Sequence, residues 1–177
     1  MKKCFQQFNN SQIVYPNDIL NGKLYYGNWK HAASQEVIDN IGLTHILNMT
    51  SEVENFFQLN PQISYLKISI DDEDFTNISQ HFKESWEFIS NALQDNKNKI
   101  LIHCAQGKSR SATIVCMYLM KKFKLGFEYV FLYIYYFLFQ QLYQILSYVQ
   151  SRRDVACPNY GFIEQLKQFE KNNFEFF

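Results

Sequence analysis

The stretch from Lys99 to Thr113 constrains the fold of this chain more than any other part of the sequence. It starts as a short apolar run that ends at His103, continues through a polar loop around Gly107, and becomes helical at about Arg110. A buried strand that turns tightly into a helix gathers backbone N–H groups and the positive end of the helix dipole at one place. The pattern therefore predicts an α/β fold with an anion-binding loop between a central strand and a helix N-terminus.

Three residues of this stretch carry candidate chemistry. Cys104 ends the strand, where amides that attract an anion also favour a thiolate, and cysteines so placed have pKa values of about 3.5–7.5 instead of about 8.5. Arg110 closes the loop, and its planar guanidinium can hold two oxygens of a phosphate at once. Ser111 can donate a hydrogen bond to the thiolate and help it leave in a second step.

The rest of the chain alternates between strand-like and helix-like segments. Asn21-Gly22 lies between two strand candidates, and both residues tolerate the positive φ that a type I′ turn needs. Further strands are predicted at 44–49, 64–70 and 99–103, and helices at 78–93, 111–123 and 160–170. This alternation predicts a central, mostly parallel sheet flanked by helices.

Charge and cysteine usage exclude several classes of protein. The chain has 17 Lys plus Arg and 17 Asp plus Glu, whereas nucleic-acid-binding proteins usually carry a basic surplus, so no nucleic acid partner is expected. The four cysteines are scattered without the spacing of a disulfide framework or a zinc site, so no metal is expected. The first residues are too polar for a secretory signal, which predicts a cytoplasmic protein, with the nucleus as an alternative location.

The residues His103-Cys104-x-x-Gly107-x-x-Arg110-Ser111 resemble the signature loop of the cysteine-dependent protein tyrosine phosphatase superfamily. Ser109, where tyrosine-specific members usually have Gly, resembles the dual-specificity branch. The resemblance extends over residues 19–170 and implies a catalytic domain at 13–172, an N-terminal extension at 1–12 and a C-terminal tail at 173–177. The same family implies no cofactor. Ala105-Gln106 departs from it, because many relatives have Ala in the second of these positions.

The resemblance also implies a mechanism. Cys104 attacks phosphorus, Asp72 protonates the leaving oxygen, and Asp72 then activates the water that hydrolyses the cysteinyl phosphate. Asp72 is selected by counting back from 77–79, which resembles the start of the family's next helix, and Asp71 is the second choice. The phosphate-binding groups are Arg110 and the backbone amides of Ala105, Gln106, Gly107, Lys108 and Ser109.

Three residues are predicted to support this site. His103 is expected to order the loop through hydrogen bonds of its ring and not to act as a base. Asn48 and Asn159 resemble family positions that buttress the phosphate loop, although each could simply cap a turn.

An aromatic, uncharged segment at 129–144 interrupts the resemblance. A membrane span is one interpretation, but the apolar part is shorter than the roughly 20 residues that a bilayer needs, so no membrane association is expected. A long helix that overhangs the domain is a second interpretation. The third is a retained intron in the gene model, because removal of residues 130–144 restores the family spacing, and this hypothesis is weakly favoured.

The expected function is hydrolysis of phosphotyrosine and of phosphoserine or phosphothreonine in phosphorylated protein substrates. Two alternatives remain: a phosphatase of phosphoinositides or RNA 5′ phosphates, and a catalytically silent phospho-binding module. The sequence makes no prediction about the physiological substrate or the oligomeric state.

Overall fold

The protein is described by a computed structural model that covers residues 13–124 and 141–176. The predicted extension at 1–12 and residues 129–140 of the aromatic segment lie outside this part. The strands are β1 (Asn17–Asp18), β2 (Leu24–Asn28), β3 (His45–Asn48), β4 (Ser64–Lys67) and β5 (Ile100–Cys104). The helices are α1 (Trp29–Ala33), α2 (Gln35–Ile41), α3 (Phe82–Ala92), α4 (Arg110–Phe123), α5 (Gln141–Arg152) and α6 (Tyr160–Lys171), and a 3-10 turn at Ser79–His81 precedes α3.

The strands form one sheet in the order β1-β2-β5-β3-β4. β1 and β2 are antiparallel, and every other neighbouring pair is parallel. β5 lies at the centre of the sheet with all of its residues buried, as its continuous apolar run predicts. The predicted mostly parallel sheet flanked by helices is therefore confirmed.

The predicted turn at Asn21-Gly22 joins β1 to β2. Asn21 has φ 43° and Gly22 has φ 74°, and the Lys23 amide donates to the Leu20 carbonyl across them at 2.9 Å. The Asp18 carboxylate accepts from the Gly22 amide at 2.7 Å and fixes the turn further. Both residues thus have the positive φ that the sequence predicts for this turn.

One strand is shorter than predicted because the neighbouring strand ends first and offers no further hydrogen-bond partners. The predicted strand at 64–70 is observed only as Ser64–Lys67, because its neighbour β3 ends at Asn48. Directly after this pairing, the Ile68 amide donates to the Asn48 carbonyl at 2.8 Å. The chain beyond it leaves the sheet and becomes the loop that contains Asp72.

Hydrophobic side chains cover both faces of the sheet. On one face, Ile100 and Ile102 pack with α3, α4, α5 and α6 into the larger core. On the other, Leu101 packs with α1 and α2. The alternation of neighbouring β5 residues between the two faces follows from the period of two in a strand. Burial of each such side chain contributes about 1.5–3 kcal/mol, so the strand that ends at Cys104 is held rigidly from both sides.

The predicted tail packs onto the larger core. Phe174 is buried, and its ring lies edge-on to that of Phe169 at 5.7 Å between centroids. Lys121 of α4 donates from Nζ to the Phe174 carbonyl at 2.5 Å. The packed core therefore extends past the predicted boundary at residue 172. Within residues 13–124 and 141–176, the helices are all too short or too polar to cross a bilayer.

Candidate active site

Cys104 lies at the carboxyl end of β5, at the point where the chain enters the loop before α4. Its side chain is 1% exposed, and Ser111 Oγ donates a hydrogen bond to its Sγ at 3.1 Å. Ser111 reaches the sulfur because it lies in the first turn of α4, directly above the strand end. The structure thus brings together the predicted nucleophile and the predicted hydroxyl donor.

The carbonyl groups of the loop from Ala105 to Lys108 all bond to groups outside it. The Ala105 carbonyl accepts from the Trp29 amide at 3.3 Å, and the Lys108 carbonyl accepts from the Cys157 amide at 2.8 Å. The Gly107 carbonyl accepts from Tyr26 Oη at 2.7 Å. The Arg153 guanidinium donates to two of these carbonyls, from Nε to Gly107 at 2.9 Å and from Nη2 to Gln106 at 3.2 Å.

These outward carbonyls fix the direction of the amides. Because C=O and N–H point in opposite directions across a planar peptide, the N–H groups of residues 106–109 face into the loop. In the described part of the chain, none of these N–H groups donates to another protein group. Four unpaired donors thus converge beside Cys104 at the N-terminus of α4, an arrangement that is suited to hold an anion and is called the cradle below.

Gly107 permits the tight curvature of this cradle. Its φ is 66°, and a Cβ at this position would lie 2.5 Å from the Gly27 carbonyl oxygen in β2. A side chain here would therefore both strain the backbone and push the loop away from the sheet.

Arg110 is buried, and Glu52 orients its guanidinium. Nη1 donates to Glu52 Oε2 at 2.8 Å and Nη2 donates to Oε1 at 2.6 Å, while Nη1 also donates to the Ile70 carbonyl at 3.0 Å. Nε has no hydrogen-bond partner among the described residues. Three of the five N–H groups are thus occupied, and the edge formed by Nε and Nη2 keeps two donors for phosphate oxygens.

Glu52 was not predicted from the sequence. It follows β3 by four positions, and the carboxyl ends of the parallel strands β3 and β5 share one edge of the sheet, which is the signal that could have identified it. The hydrogen bonds from Arg110 lower the pKa of Glu52 to about 2. It is therefore ionised at neutral pH and holds Arg110 by charge as well as by geometry.

Asn48 supports the loop that contains Glu52. Its Nδ2 donates to the Val53 carbonyl at 2.8 Å and to Asn55 Oδ1 at 3.0 Å, and its Oδ1 accepts from Thr50 Oγ1 at 2.8 Å. Its observed hydrogen bonds are therefore made with residues 50–55, and the contact with the phosphate loop runs through Glu52 and Arg110.

Asp72 and Asp71 have different surroundings. Asp72 Oδ2 lies 3.6 Å from Arg110 Nε, and Asp72 borders the cavity above the loop. Asp71 is exposed, and its carboxylate accepts from Ser51 Oγ at 2.5 Å. Of these two aspartates, Asp72 borders the cavity that Arg110 also lines, and Asp71 is not among its lining residues.

Asn159 connects the loop that contains Asp72 to the phosphate loop at residues 105–109. Its amide N–H donates to Ser109 Oγ at 3.0 Å, its Nδ2 donates to Asp72 Oδ1 at 2.9 Å, and its Oδ1 caps α6 by accepting from the Phe162 amide at 2.9 Å. The residue therefore combines both of the roles that the sequence left open.

His103 is buried beneath the loop at the strand end. Burial lowers the pKa of His103 to about 4, so the ring is neutral at pH 7. Its Nδ1 has no hydrogen-bond partner in the described part of the chain. A buried, neutral ring that does not face the cavity is poorly suited to act as a base.

A cavity of about 620 Å³ opens above the loop. Its lining includes Glu52, Asp72, Lys108 and Arg110, and Cys157 borders it as well. Lys108 is the exposed cation of the loop, whereas Cys104 is buried at the strand end before the loop and is not part of the lining. The geometry places the candidate nucleophile Cys104 at the end of β5, with amide and cationic donors in the loop above it and the carboxylate of Asp72 at the side of the cavity.

Residues 24–172 match the family model described as dual specificity phosphatase, catalytic domain. This match spans most of the chain. The chain belongs to the dual-specificity phosphatase family.

Known members of the family share both sequence and fold with this chain. It is 29% identical over 160 residues to a probable rhodanese domain-containing dual specificity protein phosphatase of Dictyostelium discoideum, covering 90% of this chain and 30% of that protein. It is 36% identical over 147 residues to dual specificity protein phosphatase 4 of Homo sapiens, covering 83% of this chain and 33% of that protein. The chain thus spans about a third of the length of these curated relatives.

Solved structures of this family superpose closely on the chain. The crystal structure of DUSP15 has a TM-score of 0.74 at 29% identity, covering 88% of this chain and 87% of that one. A human tyrosine phosphatase-like serine/threonine/tyrosine-interacting protein has a TM-score of 0.74 at 30% identity, covering 91% and 99% of the two chains. The resemblance read from the signature loop is confirmed, and the family does not favour the phosphoinositide, RNA or silent alternatives.

Proposed function

We propose that this dual-specificity phosphatase domain hydrolyses phosphotyrosine and phosphoserine or phosphothreonine in proteins through a cysteinyl-phosphate intermediate. The observation that carries the proposal is the position of the Cys104 sulfur at the end of β5, 3.1 Å from Ser111 Oγ and beside the loop in which the amides of residues 106–109 face inward. Membership of the family supports the choice of a phosphorylated protein as substrate.

In the first step, the phosphate dianion enters the cradle and its equatorial oxygens accept from the loop amides and from Nε and Nη2 of Arg110. The Cys104 thiolate forms a bond to phosphorus as the bond to the leaving oxygen breaks. Asp72, at the edge of the cavity, transfers its proton to that oxygen. The amides and Arg110 stabilise the charge on the equatorial oxygens as the transition state forms.

In the second step, a water molecule replaces the departed alcohol or phenol. Asp72, now a carboxylate, takes a proton from the water, whose oxygen bonds to phosphorus while the P–S bond breaks. The sulfur leaves as a thiolate, and Ser111 stabilises it through the observed hydrogen bond. Inorganic phosphate is released, and both Cys104 and Asp72 return to their starting protonation states.

We also infer a cytoplasmic or nuclear location, since the proposed substrates are phosphorylated intracellular proteins. Cell fractionation of the tagged full chain would test this inference, and recovery in the secreted fraction would contradict it.

The proposed function is tested by comparing the wild type with Cys104→Ser on an aryl phosphate and on phosphotyrosine, phosphothreonine and phosphoinositide substrates. We expect turnover on both phosphopeptides and complete loss in Cys104→Ser, with phosphate binding retained because the cradle is unchanged. Cys116 supplies the control: burial raises the pKa of its thiol to about 12, so Cys116→Ala should retain turnover. Preferred hydrolysis of phosphoinositides, or turnover that survives Cys104→Ser, would contradict the proposal.

A further inference from the structure

We infer that Arg153, which is outside the proposed chemistry, is a positioning residue that orients the two central peptide units of the phosphate-binding loop. The inference rests on the proposed function of that loop in binding phosphate. The Arg153 side chain contacts both the loop and the two strands β1 and β2.

The guanidinium of Arg153 binds the outer side of the loop. Nε donates to the Gly107 carbonyl at 2.9 Å and Nη2 donates to the Gln106 carbonyl at 3.2 Å. These are consecutive carbonyls, so one rigid, planar group fixes two neighbouring peptide units. Arg153 is not part of the cavity lining, although Asp154 and Val155 are, so it acts on the loop from behind.

The guanidinium is itself held in place by the two strands at the edge of the sheet. Nη1 donates to Asn17 Oδ1 in β1 at 3.1 Å, and the guanidinium lies over the ring of Tyr26 in β2 at 5.4 Å from its centroid. Tyr26 is fully buried, and burial raises the pKa of its phenol far above the ordinary value, so its hydroxyl remains a donor to the Gly107 carbonyl. The Arg153 guanidinium is therefore held in place by residues that are themselves fixed in the sheet.

The consequence for the site follows from peptide geometry. The Gln106 carbonyl belongs to the peptide unit of the Gly107 N–H, and the Gly107 carbonyl belongs to that of the Lys108 N–H. Holding both carbonyls outward aims both N–H groups into the cradle. Gly107 can adopt many conformations, so an external contact is needed to select this one. Hydrogen bonding of the carbonyls to a cation also polarises the peptide units and strengthens their N–H groups as donors.

Arg153 should therefore control how well the loop holds any anion, including the Cys104 thiolate, before turnover begins. The experiment compares Arg153→Ala and Arg153→Lys with the matched control Arg152→Ala. Arg152 is the last residue of α5 and directly precedes Arg153; it is exposed, and its guanidinium lies over the Tyr148 ring at 5.4 Å from the centroid.

Three readouts are measured on the full chain: inhibition or binding by orthovanadate and inorganic phosphate, the pH dependence of Cys104 alkylation followed by mass spectrometry, and the thermal unfolding midpoint. For Arg153→Ala we expect roughly ten- to hundredfold weaker vanadate and phosphate binding, as for loss of charge-assisted hydrogen bonds, and an alkylation curve displaced to higher pH. Arg153→Lys should fall between, because an ammonium cannot hold two carbonyls in the same plane. Added guanidinium ion should restore part of the binding in Arg153→Ala.

Arg152→Ala should change none of these readouts more than about twofold. Unchanged anion binding and an unchanged alkylation curve in Arg153→Ala, with or without a lower unfolding midpoint, would overturn the inference. If Arg153→Ala does not fold, Arg153→Lys and Asn17→Ala, which frees Nη1, must show the same direction of change. Binding and alkylation do not require turnover, so failure of the proposed phosphatase activity would be seen separately as an inactive wild type.

Discussion

Asn159 Nδ2 lies 2.9 Å from Asp72 Oδ1, so the residue that caps α6 also holds the candidate general acid at the edge of the cavity. The same residue donates from its backbone to Ser109 Oγ in the phosphate loop. The phosphate loop and the loop that contains Asp72 are separate in sequence, and the residue at the start of α6 bonds to both and fixes their relative position.

Replacement of Asn159 by Ser should separate these roles. Ser retains an oxygen that caps α6, but it is too short to donate to Asp72. We expect a fall in kcat of roughly tenfold because Asp72 is no longer held at the cavity edge, and an unfolding midpoint close to that of the wild type because the capping oxygen is retained. Asn172→Ser, at the other end of α6, is the control. A change in stability without a change in kcat would mean that Asn159 serves only as a cap.

Asp72→Asn should remove the proton donor. General acid catalysis contributes roughly 10²–10⁴-fold, so kcat on an alkyl or aryl phosphopeptide should fall by that order, and less for a substrate whose leaving group needs no proton. Asp71→Asn removes the same charge one position earlier and should retain most of the activity. The reverse ranking of the two variants would move the acid to Asp71.

Glu52→Gln should loosen Arg110, because one carboxylate oxygen and the charge are lost from a two-bond contact. We expect kcat/KM to fall roughly tenfold, since charged hydrogen bonds of this kind are about twice as strong as neutral ones. Stability should decrease by about 1 kcal/mol or less, since the Glu52 side chain is 47% exposed. Steady-state kinetics with Glu54→Gln, whose carboxylate pairs on the surface with Lys67, provide the comparison.

The same pair predicts an acid dependence. The pKa of Glu52 is lowered to about 2 in the folded protein, below its ordinary value, so its stabilising effect is present above about pH 4.5 and is lost as the pH falls towards 2. Urea unfolding across this range should show a smaller loss of stability in Glu52→Gln than in the wild type. Parallel curves for the two proteins would contradict the ion pair.

The buried His103 should contribute a further loss of stability at a higher pH than Glu52 does. Burial lowers its pKa from 6.5 to about 4, so the unfolded chain binds a proton between these values and the folded protein does not. Stability should be complete above about pH 6.5 and fall as the pH decreases towards 4, by about 3 kcal/mol for a shift of this size. His31 has a pKa lowered to about 4 by burial and should add to the effect.

The measurement is the free energy of unfolding at pH 7 and pH 5 in the wild type and in His103→Asn. The variant should lose less stability than the wild type between the two values. If the stability of the wild type is the same at pH 7 and pH 5, burial does not lower the pKa of His103, and the prediction is wrong.

Local patterns were sufficient to predict the fold and to select the segment that contains the candidate site. The apolar run of β5, the loop around Gly107 and the start of α4 form one continuous segment, so their mutual arrangement depends on short-range rules. Asp72 was reached only by family spacing. Glu52 and Arg153 were missed as contributors to the loop because their contacts span 58 and 46 positions, and no local pattern specifies which distant charge meets Arg110 or the Gly107 carbonyl.

The docking of Phe174 against Lys121 has a practical consequence for work on this enzyme. α4 runs from Arg110 at the cavity to Lys121 near its far end, a distance of about 16 Å at 1.5 Å per residue. A fluorescent label, affinity handle or surface tether attached after Phe176 would leave from the side remote from the substrate. The protein can therefore be immobilised through that end while phosphopeptides approach the opposite one freely.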